Sequence, residues 1–238
     1  MKKTIVLFGI MIALSACAPL QPLNNAQMGN QASSQWQWSS ASWTPPPPAE
    51  LEGEFVEAPA VVSGTLNESL EEAGMLVLGG SGSVRITIFT NYGCAYCNEF
   101  STDMLPKLLS DFVAQGKLDI GIMVVPLKKY PNSSLEAAAL LCAAAHGKGL
   151  AMHEVLTDAK TRDRKSLQSM AKTLGMTVKE FTKCLDSKET KNLLADQQAF
   201  INEHAVTLIP AFILNEEKRV GLPLYADLRG WIKEQLAR

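Results

Sequence analysis

The sequence has few of the features that mark several common classes of protein. Aromatic residues account for only 7% of the 238 residues, charged residues for 19%, and there are three histidines. Basic and acidic residues nearly cancel, with a formal net charge of -2 and a pI near 6.0. Nucleic-acid-binding domains carry a strong basic field, so we exclude that class of partner. Neither a Ser-His-Asp order nor a phosphate-binding glycine loop stands out. The 47% of hydrophobic residues is typical of a globular protein.

Residues 1–16 combine a basic start with the apolar run Ile5–Leu14, which is too short to span a bilayer. This pattern is typical of a secretory signal peptide. It ends in Leu14-Ser15-Ala16-Cys17, which resembles the bacterial lipobox, whose cysteine is lipid-modified and becomes the first residue of the mature chain. We therefore predict that Cys17 carries a lipid anchor, and Ala18 resembles an outer-membrane sorting pattern. The alternative is a plain signal peptide with an incidental cysteine.

Residues 17–62 show neither the period of a strand nor that of a helix. The stretch is rich in Asn, Gln, Ser, Ala and Pro, and prolines occupy all positions from Pro45 to Pro48. This composition predicts a flexible tether that holds a folded domain of residues 63–238 away from the membrane. Trp36, Trp38 and Trp43 are either ordinary linker residues or a docking element for a partner or a lipid surface.

The most informative stretch is Cys94-Ala95-Tyr96-Cys97, which follows a β-branched run and opens a helical pattern. Two cysteines at this spacing, at the start of a helix, are typical of a thioredoxin-like redox site. One sulfur then faces the unpaired N–H groups and the positive end of the helix dipole, which favours thiolate over thiol. We predict that Cys94 is the exposed attacking sulfur and that Cys97 resolves the mixed disulfide.

The other cysteines leave a metal site to be considered. An even number of cysteines in an exported chain, once Cys17 is lipidated, favours disulfides over metal. A zinc site at the motif would need two more ligands, for which Cys142 with His146 or His153 is a candidate set, but the spacing fits no familiar zinc finger. His146 suits the negative end of a helix dipole, and we expect His153 and His204 to be surface residues. We therefore expect neither a metal nor an organic cofactor.

The pattern of apolar residues around the motif predicts a strand, a helix and a second strand parallel to the first. Val84–Thr90 is the first strand, and the helix from Cys94 runs toward Gln115 with a kink at Pro106. Leu118–Val125 is the second, buried strand.

From about residue 130 to 205 the pattern predicts only helices. Ser133-Ser134-Leu135-Glu136 and Thr177-Val178-Lys179-Glu180 are capping boxes that mark helix starts, and a further helix is expected over 188–204. This region is therefore predicted to be an all-helical insertion.

The end of the chain returns to strand character. The pattern predicts a hairpin made of a strand over Ala211–Leu214, a polar turn over 215–218 and a strand over 219–221. It also predicts a last helix over 225–236. The whole order of elements predicts an α/β protein with a thioredoxin fold interrupted by an inserted all-helical domain.

Three motifs occur together in this chain. They are Ile88-Phe89-Thr90-Asn91-Tyr92-Gly93-Cys94-Ala95-Tyr96-Cys97, Asn132-Ser133 before the alanine-rich helix around Cys142, and Ile209-Pro210-Ala211-Phe212. With them, residues 75–236 resemble the DsbA family of bacterial envelope thiol-disulfide oxidoreductases. The resemblance implies that Ile209-Pro210 is the family's cis-proline loop beside the sulfurs, where the Ile209 backbone pairs with an extended substrate. From the residues alone, Pro210 fits a trans turn before a strand equally well.

The chain departs from the family at three places. Ala95-Tyr96, the redox-tuning dipeptide, replaces the Pro-His of strong oxidants and lacks the imidazole that helps to hold the thiolate. Ile88 stands where relatives often have a buried acid, so it cannot take a proton from Cys97 but also places no negative charge near the thiolate. Leu208-Ile209 replaces smaller residues before Pro210, which we expect to narrow the choice of substrate.

Cys142 and Cys184 lie where some relatives carry a second disulfide. By this resemblance they form a structural bridge, which would close a loop of about 43 residues and contribute roughly 4 kcal/mol. The alternative is two buried free thiols that pack as small hydrophobic residues.

We therefore predict a monomeric, lipid-anchored oxidoreductase that faces the periplasm, with the outer membrane favoured over the inner. It exchanges disulfides with exported cysteine-containing proteins, foremost as a dithiol oxidase, and the resemblance implies a quinone-linked membrane partner that restores its disulfide. The alternatives are a reductase or isomerase, or a non-enzymatic thioredoxin-fold chaperone or surface binding module.

Overall fold

The structure, a computed structural model, describes residues 66–71 and 73–238. The predicted signal peptide (1–16), the lipidation site Cys17 and the predicted tether (17–62) lie outside the described residues. Within the described ranges, no helix is both long enough and apolar enough to cross a membrane.

A six-stranded mixed sheet forms the centre of the fold. Its strands are β1 (Glu68–Glu71), β2 (Met75–Leu78), β3 (Val84–Thr90), β4 (Leu118–Val124), β5 (Ala211–Leu214) and β6 (Glu217–Val220). They lie in the order β1-β2-β4-β3-β5-β6, with β3 and β4 parallel and all other neighbours antiparallel. Every residue of β4 is buried, as expected for a parallel strand in the centre of a sheet. The predicted parallel pair is confirmed.

The connection from β3 to β4 is one helical stretch over residues 95–113, which we call the motif helix. It consists of α1 (Ala95–Glu99), a π-helical segment (Phe100–Met104), α2 (Leu105–Leu108) and a second π-helical segment (Leu109–Val113). Pro106 is the second residue of α2 and directly follows the first π-helical segment, which the N–H of Leu105 closes by bonding to the Phe100 carbonyl. The kink predicted at Pro106 stays a prediction; what the structure shows is a change from π-helical to α-helical hydrogen bonding just before it.

Five helices between β4 and β5 form the predicted insertion. They are α3 (Ser133–Ala144), α4 (Gly149–Asp158), α5 (Arg164–Thr173), α6 (Val178–Asp186) and α7 (Lys188–Glu203). The alanine-rich α3 is buried along most of its length and packs against β4, α4, α6 and α7. Small side chains let these elements approach α3 closely, so this helix is the centre of the insertion.

The two predicted capping boxes have different outcomes. The Thr177 hydroxyl accepts the N–H of Glu180 at 3.3 Å and donates to its carboxylate at 2.6 Å, which confirms the second box. The first box is wrong, because Ser133 Oγ bonds to the backbone N–H and C=O of Leu127 instead of capping α3. The loop before α3 uses this hydroxyl to satisfy its own backbone groups.

The predicted hairpin is present, but its turn is shorter than expected. Leu214 pairs with Glu217, so the turn consists of Asn215 and Glu216 rather than residues 215–218. Asn215 has a φ of 55°, a left-handed conformation that asparagine tolerates well, and the chain therefore reverses sooner. The last helix, α8 (Tyr225–Leu236), has the predicted bounds.

A disulfide joins Cys142 of α3 to Cys184 of α6, with an S–S distance of 2.02 Å. The hydroxyl of Thr190 in α7 lies 3.6 Å from the Cys142 sulfur and 3.4 Å from the Cys184 sulfur. The bridge therefore lies where three helices of the insertion meet, and it links residues 42 positions apart.

We expect the Cys142→Ala/Cys184→Ala variant to lose about 2–4 kcal/mol of unfolding free energy, because the bridge restricts the unfolded chain over a long loop. Urea unfolding of the oxidised parent and the variant, followed by circular dichroism, measures the difference. Equal free energies of unfolding would contradict a structural role for the bridge.

Candidate active site

Cys94 and Cys97 meet at the N-terminal end of the motif helix. Cys94 is the N-cap residue, with extended backbone angles (φ -93°, ψ 117°), and its sulfur accepts the N–H of Cys97 at 3.3 Å. Its carbonyl oxygen accepts the N–H of Asn98 at 3.0 Å. The Cys94 sulfur therefore lies where unpaired N–H groups and the helix dipole favour negative charge.

Both cysteines are free thiols, and they differ in accessibility. Cys94 is 8% exposed and Cys97 is 1% exposed. The prediction of an exposed Cys94 was wrong in degree, because its side chain folds back over the helix end to accept the Cys97 N–H. Cys94 is still the more accessible of the two.

The buried Cys97 thiol resists loss of its proton. Burial raises the pKa of the Cys97 thiol far above its ordinary value, and the hydrogen bond and charge of Cys94 raise it further. The backbone of Asn91 and the hydroxyl of Thr90 lower this pKa without reversing the shift. The Cys97 thiol is therefore held in its protonated form at neutral pH.

Asn91 fixes the turn that leads from β3 into the motif. Its side-chain oxygen accepts the N–H of Gly93 at 2.8 Å, and its side-chain nitrogen donates to the carbonyl of Val125 at 2.9 Å. Its backbone carbonyl accepts the N–H of Cys94 at 3.0 Å. The role of Asn91 was not predicted, although an asparagine two residues before a glycine is a known turn signal.

Gly93 brings a second loop against the motif. A Cβ atom at this position would lie 2.5 Å from Cδ1 of Tyr130, so only glycine fits without a shift. Tyr130 belongs to the loop after β4, and the ammonium of Lys129 lies 5.3 Å from the centre of its ring. An aromatic and basic loop therefore borders the residue before Cys94.

The Ile209–Pro210 peptide bond is cis. Ala211, the next residue, pairs with Phe89 near the end of β3, and the two strands are antiparallel. Ile209 and Pro210 therefore lie at the same end of the sheet as the turn before Cys94. The carbonyl of Pro210 accepts the N–H of Gly221 at 2.8 Å, which brings the end of β6 to this place as well.

The exposed apolar side chains at this end of the sheet form what we call the apolar rim. It consists of Tyr96, 63% exposed, Leu208, 65% exposed, and Val220, 50% exposed. Tyr96 lies between the two cysteines, Leu208 precedes Ile209, and Val220 pairs with Ala211. Large apolar side chains at a site entrance are typical of surfaces that bind other polypeptides.

The remaining candidate residues lie apart from the motif or in unexpected surroundings. Cys142 is bonded to Cys184, so its sulfur is not free for the zinc site considered above. No three His, Cys, Asp or Glu side chains within the described ranges are placed to hold a metal ion. The predicted surface position of His153 is wrong, since it is 2% exposed. His204 is half-buried rather than a surface residue, because its ring stacks on that of Phe200, with the two ring centres 4.1 Å apart.

We expect Asn91→Ala to lower stability by about 1–3 kcal/mol and to slow alkylation of Cys94, because both side-chain hydrogen bonds of the turn are lost. Asn91→Asp keeps the acceptor for Gly93 but turns a carboxylate oxygen toward the Val125 carbonyl at a fully buried position, so its loss of stability should be at least as large as that of Asn91→Ala. Urea unfolding and the rate of reaction with iodoacetamide measure the two effects. Asn202→Asp, with the same charge change in α7, is the control; a parental result for Asn91→Ala would contradict the role of Asn91.

Comparisons with known proteins agree with this architecture. The sequence profile of the family described as Thioredoxin matches residues 73–234. No curated protein sequence matches the chain.

Several solved structures have a similar fold. BdbD from Bacillus subtilis, in its oxidised form, is 19% identical, and the match covers 74% of this chain and 100% of that one with a TM-score of 0.63. A variant of alpha-DsbA1 from Wolbachia pipientis is 17% identical over 68% of this chain and 90% of its own, with a TM-score of 0.60. A periplasmic thioredoxin-like protein from Salmonella enterica serovar Typhimurium is 21% identical over 70% of this chain and 92% of its own, with a TM-score of 0.58. The chain therefore belongs to the thioredoxin family and shares its fold with DsbA-like proteins.

Proposed function

We propose that the chain catalyses thiol-disulfide exchange on exported proteins, with Cys94 as the reacting sulfur and Cys97 as the resolving one. The observation that carries this proposal is the position of the Cys94 sulfur, which accepts an N–H at the start of the motif helix beside a buried, protonated Cys97. Such an arrangement stabilises the dithiol form through its thiolate.

In the oxidising direction, a substrate thiolate attacks the Cys94 sulfur of the Cys94–Cys97 disulfide. The bond between the two cysteines breaks, and Cys97 leaves with the electron pair and takes up a proton. A second substrate thiolate then attacks the substrate sulfur of the mixed disulfide and releases Cys94 as a thiolate. The substrate loses two electrons and the Cys94–Cys97 pair gains them. Burial keeps external sulfurs away from Cys97, so mixed disulfides form on Cys94.

The entrance of the site fits an extended polypeptide as substrate. Ile209, in the loop before β5, makes no backbone hydrogen bond to any described residue, so its N–H and C=O are free to pair with a substrate strand. Leu208 precedes Ile209, and Val220 pairs with Ala211, so the apolar rim offers exposed contacts for apolar side chains of a substrate in this region. We therefore propose unfolded or partly folded chains as substrates.

We propose that the oxidising direction dominates. A disulfide is a strong oxidant when its reduced form is stabilised, and the helix end does this for a Cys94 thiolate. Ile88, buried in β3, places no carboxylate beneath the motif to oppose that charge. The competing direction, reduction or isomerisation, uses the same two sulfurs in reverse.

The setting that we propose is the bacterial envelope, with a single copy anchored through a lipid on Cys17. The lipobox-like end of the leader supports the anchor, and the periplasmic location of the Salmonella protein of similar fold supports export. Exchange on one substrate leaves the pair reduced, so a membrane redox partner must take up the two electrons.

We expect Cys97→Ala to accumulate a mixed disulfide with an unfolded model protein that carries a disulfide, because the Cys94 thiolate breaks that disulfide and no Cys97 remains to release the adduct. The reduced form of the same model protein is the substrate for oxidation. Cys94→Ala should form none and should not oxidise the substrate, since the other sulfur is buried. Non-reducing gels and the loss of substrate thiols measure both results. The Cys142→Ala/Cys184→Ala variant is the control and should oxidise the substrate like the parent. Equal adducts with Cys94→Ala and Cys97→Ala would contradict the assignment, and peptide binding that survives both changes without any exchange would favour the chaperone alternative.

We expect Cys17→Ser to move the protein from the membrane fraction to the soluble periplasmic fraction, because the lipid attachment site is lost. The mass of the mature parent should exceed that of its polypeptide by the attached acyl groups. Fractionation and intact-mass spectrometry measure these outcomes. A parent whose mature mass equals that of an unmodified chain would contradict the lipid anchor.

A further inference from the structure

We infer that His153, in the helical insertion, is a positioning residue for the Cys94 site and acts through Tyr92. This inference rests on the proposed function, because the reactivity that it concerns is that of Cys94. It assigns the insertion a direct part in holding the redox turn, carried by one buried chain of hydrogen bonds.

The chain of hydrogen bonds joins three elements. The Tyr92 hydroxyl, two residues before Cys94, lies 3.0 Å from Nδ1 of His153 in α4. Nε2 of the same ring lies 3.1 Å from the hydroxyl of Ser101 in the motif helix. Tyr92 and His153 are both almost fully buried. The ring of His153 thus bridges the turn before the motif and the helix after it.

Nδ1 of His153 is the only hydrogen-bond partner of the Tyr92 hydroxyl among the described residues, so a protonated phenol must donate to it. Burial raises the pKa of the Tyr92 phenol well above its usual value, so the phenol keeps this proton. It lowers the pKa of His153 to about 4, so the ring is neutral and carries its proton on Nε2, which donates to Ser101. The charged groups around this chain are Glu136 and Arg162, whose charges act on Tyr92, and Glu154 and Asp158, which line the cleft between α4 and the motif helix together with His153.

Hydrogen bonds fix both the side chain and the backbone of Tyr92. Its phenol is bound by His153, and its backbone carbonyl accepts the side-chain N–H of Asn98 at 3.0 Å. The next residue, Gly93, is pressed against Tyr130, so little freedom remains between Tyr92 and Cys94. A change in the position of Tyr92 is therefore passed on to the N-cap residue.

This placement matters for chemistry because the Cys94 thiolate depends on N-cap geometry. Its sulfur must lie within reach of the Cys97 N–H, and hydrogen bonds weaken steeply with distance and angle. Loosening Tyr92 weakens that contact and so disfavours the thiolate. The disulfide form needs no such contact, so the same change makes the pair less oxidising.

The test compares His153→Leu, which removes both hydrogen bonds, with His153→Gln, which keeps an acceptor and a donor. Tyr92→Phe removes only the hydroxyl, and it keeps the test meaningful if a change at His153 prevents folding. His146→Leu, in the exposed turn after α3, is the histidine control. Each variant is measured by its rate of Cys94 alkylation with iodoacetamide and by its equilibrium with glutathione.

We expect His153→Leu and Tyr92→Phe each to slow alkylation of Cys94 about three- to tenfold, the equivalent of one ordinary hydrogen bond. The double variant should be no slower than the slower single variant, because both changes break the same link. His153→Gln should recover part of the rate. Parental alkylation rates in both single variants, whatever their stability, would overturn the inference. A parent that alkylates rapidly but never exchanges disulfides would instead overturn the proposed function.

The chain of hydrogen bonds also predicts a pH dependence of stability. The pKa of His153 is about 4 in the fold against an ordinary 6.5, so the unfolded chain takes up this proton first and stability falls as the pH drops from 6.5 through 4. Burial raises the pKa of Glu136 and of Glu154, so these two carboxyl groups increase the stability of the fold as the pH falls. They do so equally in the parent and in the His153→Gln variant. The difference between the parent and His153→Gln isolates the histidine. Parallel pH–stability curves for the two would contradict a buried neutral His153.

Discussion

The hydrogen bond from the Cys97 N–H to the Cys94 sulfur is the interaction on which the rest of the site depends. It exists because β3 delivers the chain into a short turn and the motif helix begins directly after Cys94. The same helix buries Cys97 one turn further on, so a single element places one sulfur at its N-terminal end and keeps the proton on the other. The chemical difference between the two sulfurs is thus a consequence of where a helix starts.

The rest of the fold serves to hold that helix start in place. The parallel strands β3 and β4 fix the turn before Cys94, because the side-chain nitrogen of Asn91 donates to the carbonyl of Val125 just after β4. The antiparallel pairing of β3 with β5 brings Ile209 and Pro210 to the same end of the sheet. The helical insertion also contacts this turn, through the hydrogen bond between His153 of α4 and the hydroxyl of Tyr92. Three separate parts of the chain therefore meet at one end of the sheet, where the apolar rim leaves room for a partner.

Local signals were enough to predict most of the architecture. The spacing of the cysteines, the β-branched run before them and the capping box at Thr177 each depend on residues close in sequence, and the structure has them where expected. Side chains whose partners are distant in sequence were not predictable in this way. Ser133 looked like a helix cap because its competing partner, Leu127, lies in a loop whose path the pattern does not reveal. His153 looked like a surface residue because the sequence of α4 alone does not show that this helix packs against the motif helix.

The most direct test of the central claim is the equilibrium reduction potential of the Cys94–Cys97 pair, measured in glutathione buffers against the Cys142→Ala/Cys184→Ala background. For this two-electron couple about 30 mV corresponds to a tenfold change in equilibrium constant. The account predicts a reversible couple that is more oxidising than the glutathione pool, above roughly -220 mV, because the helix end stabilises the reduced form. A potential near that of thioredoxin, about -270 mV, would contradict the oxidising role and identify a reductase or isomerase.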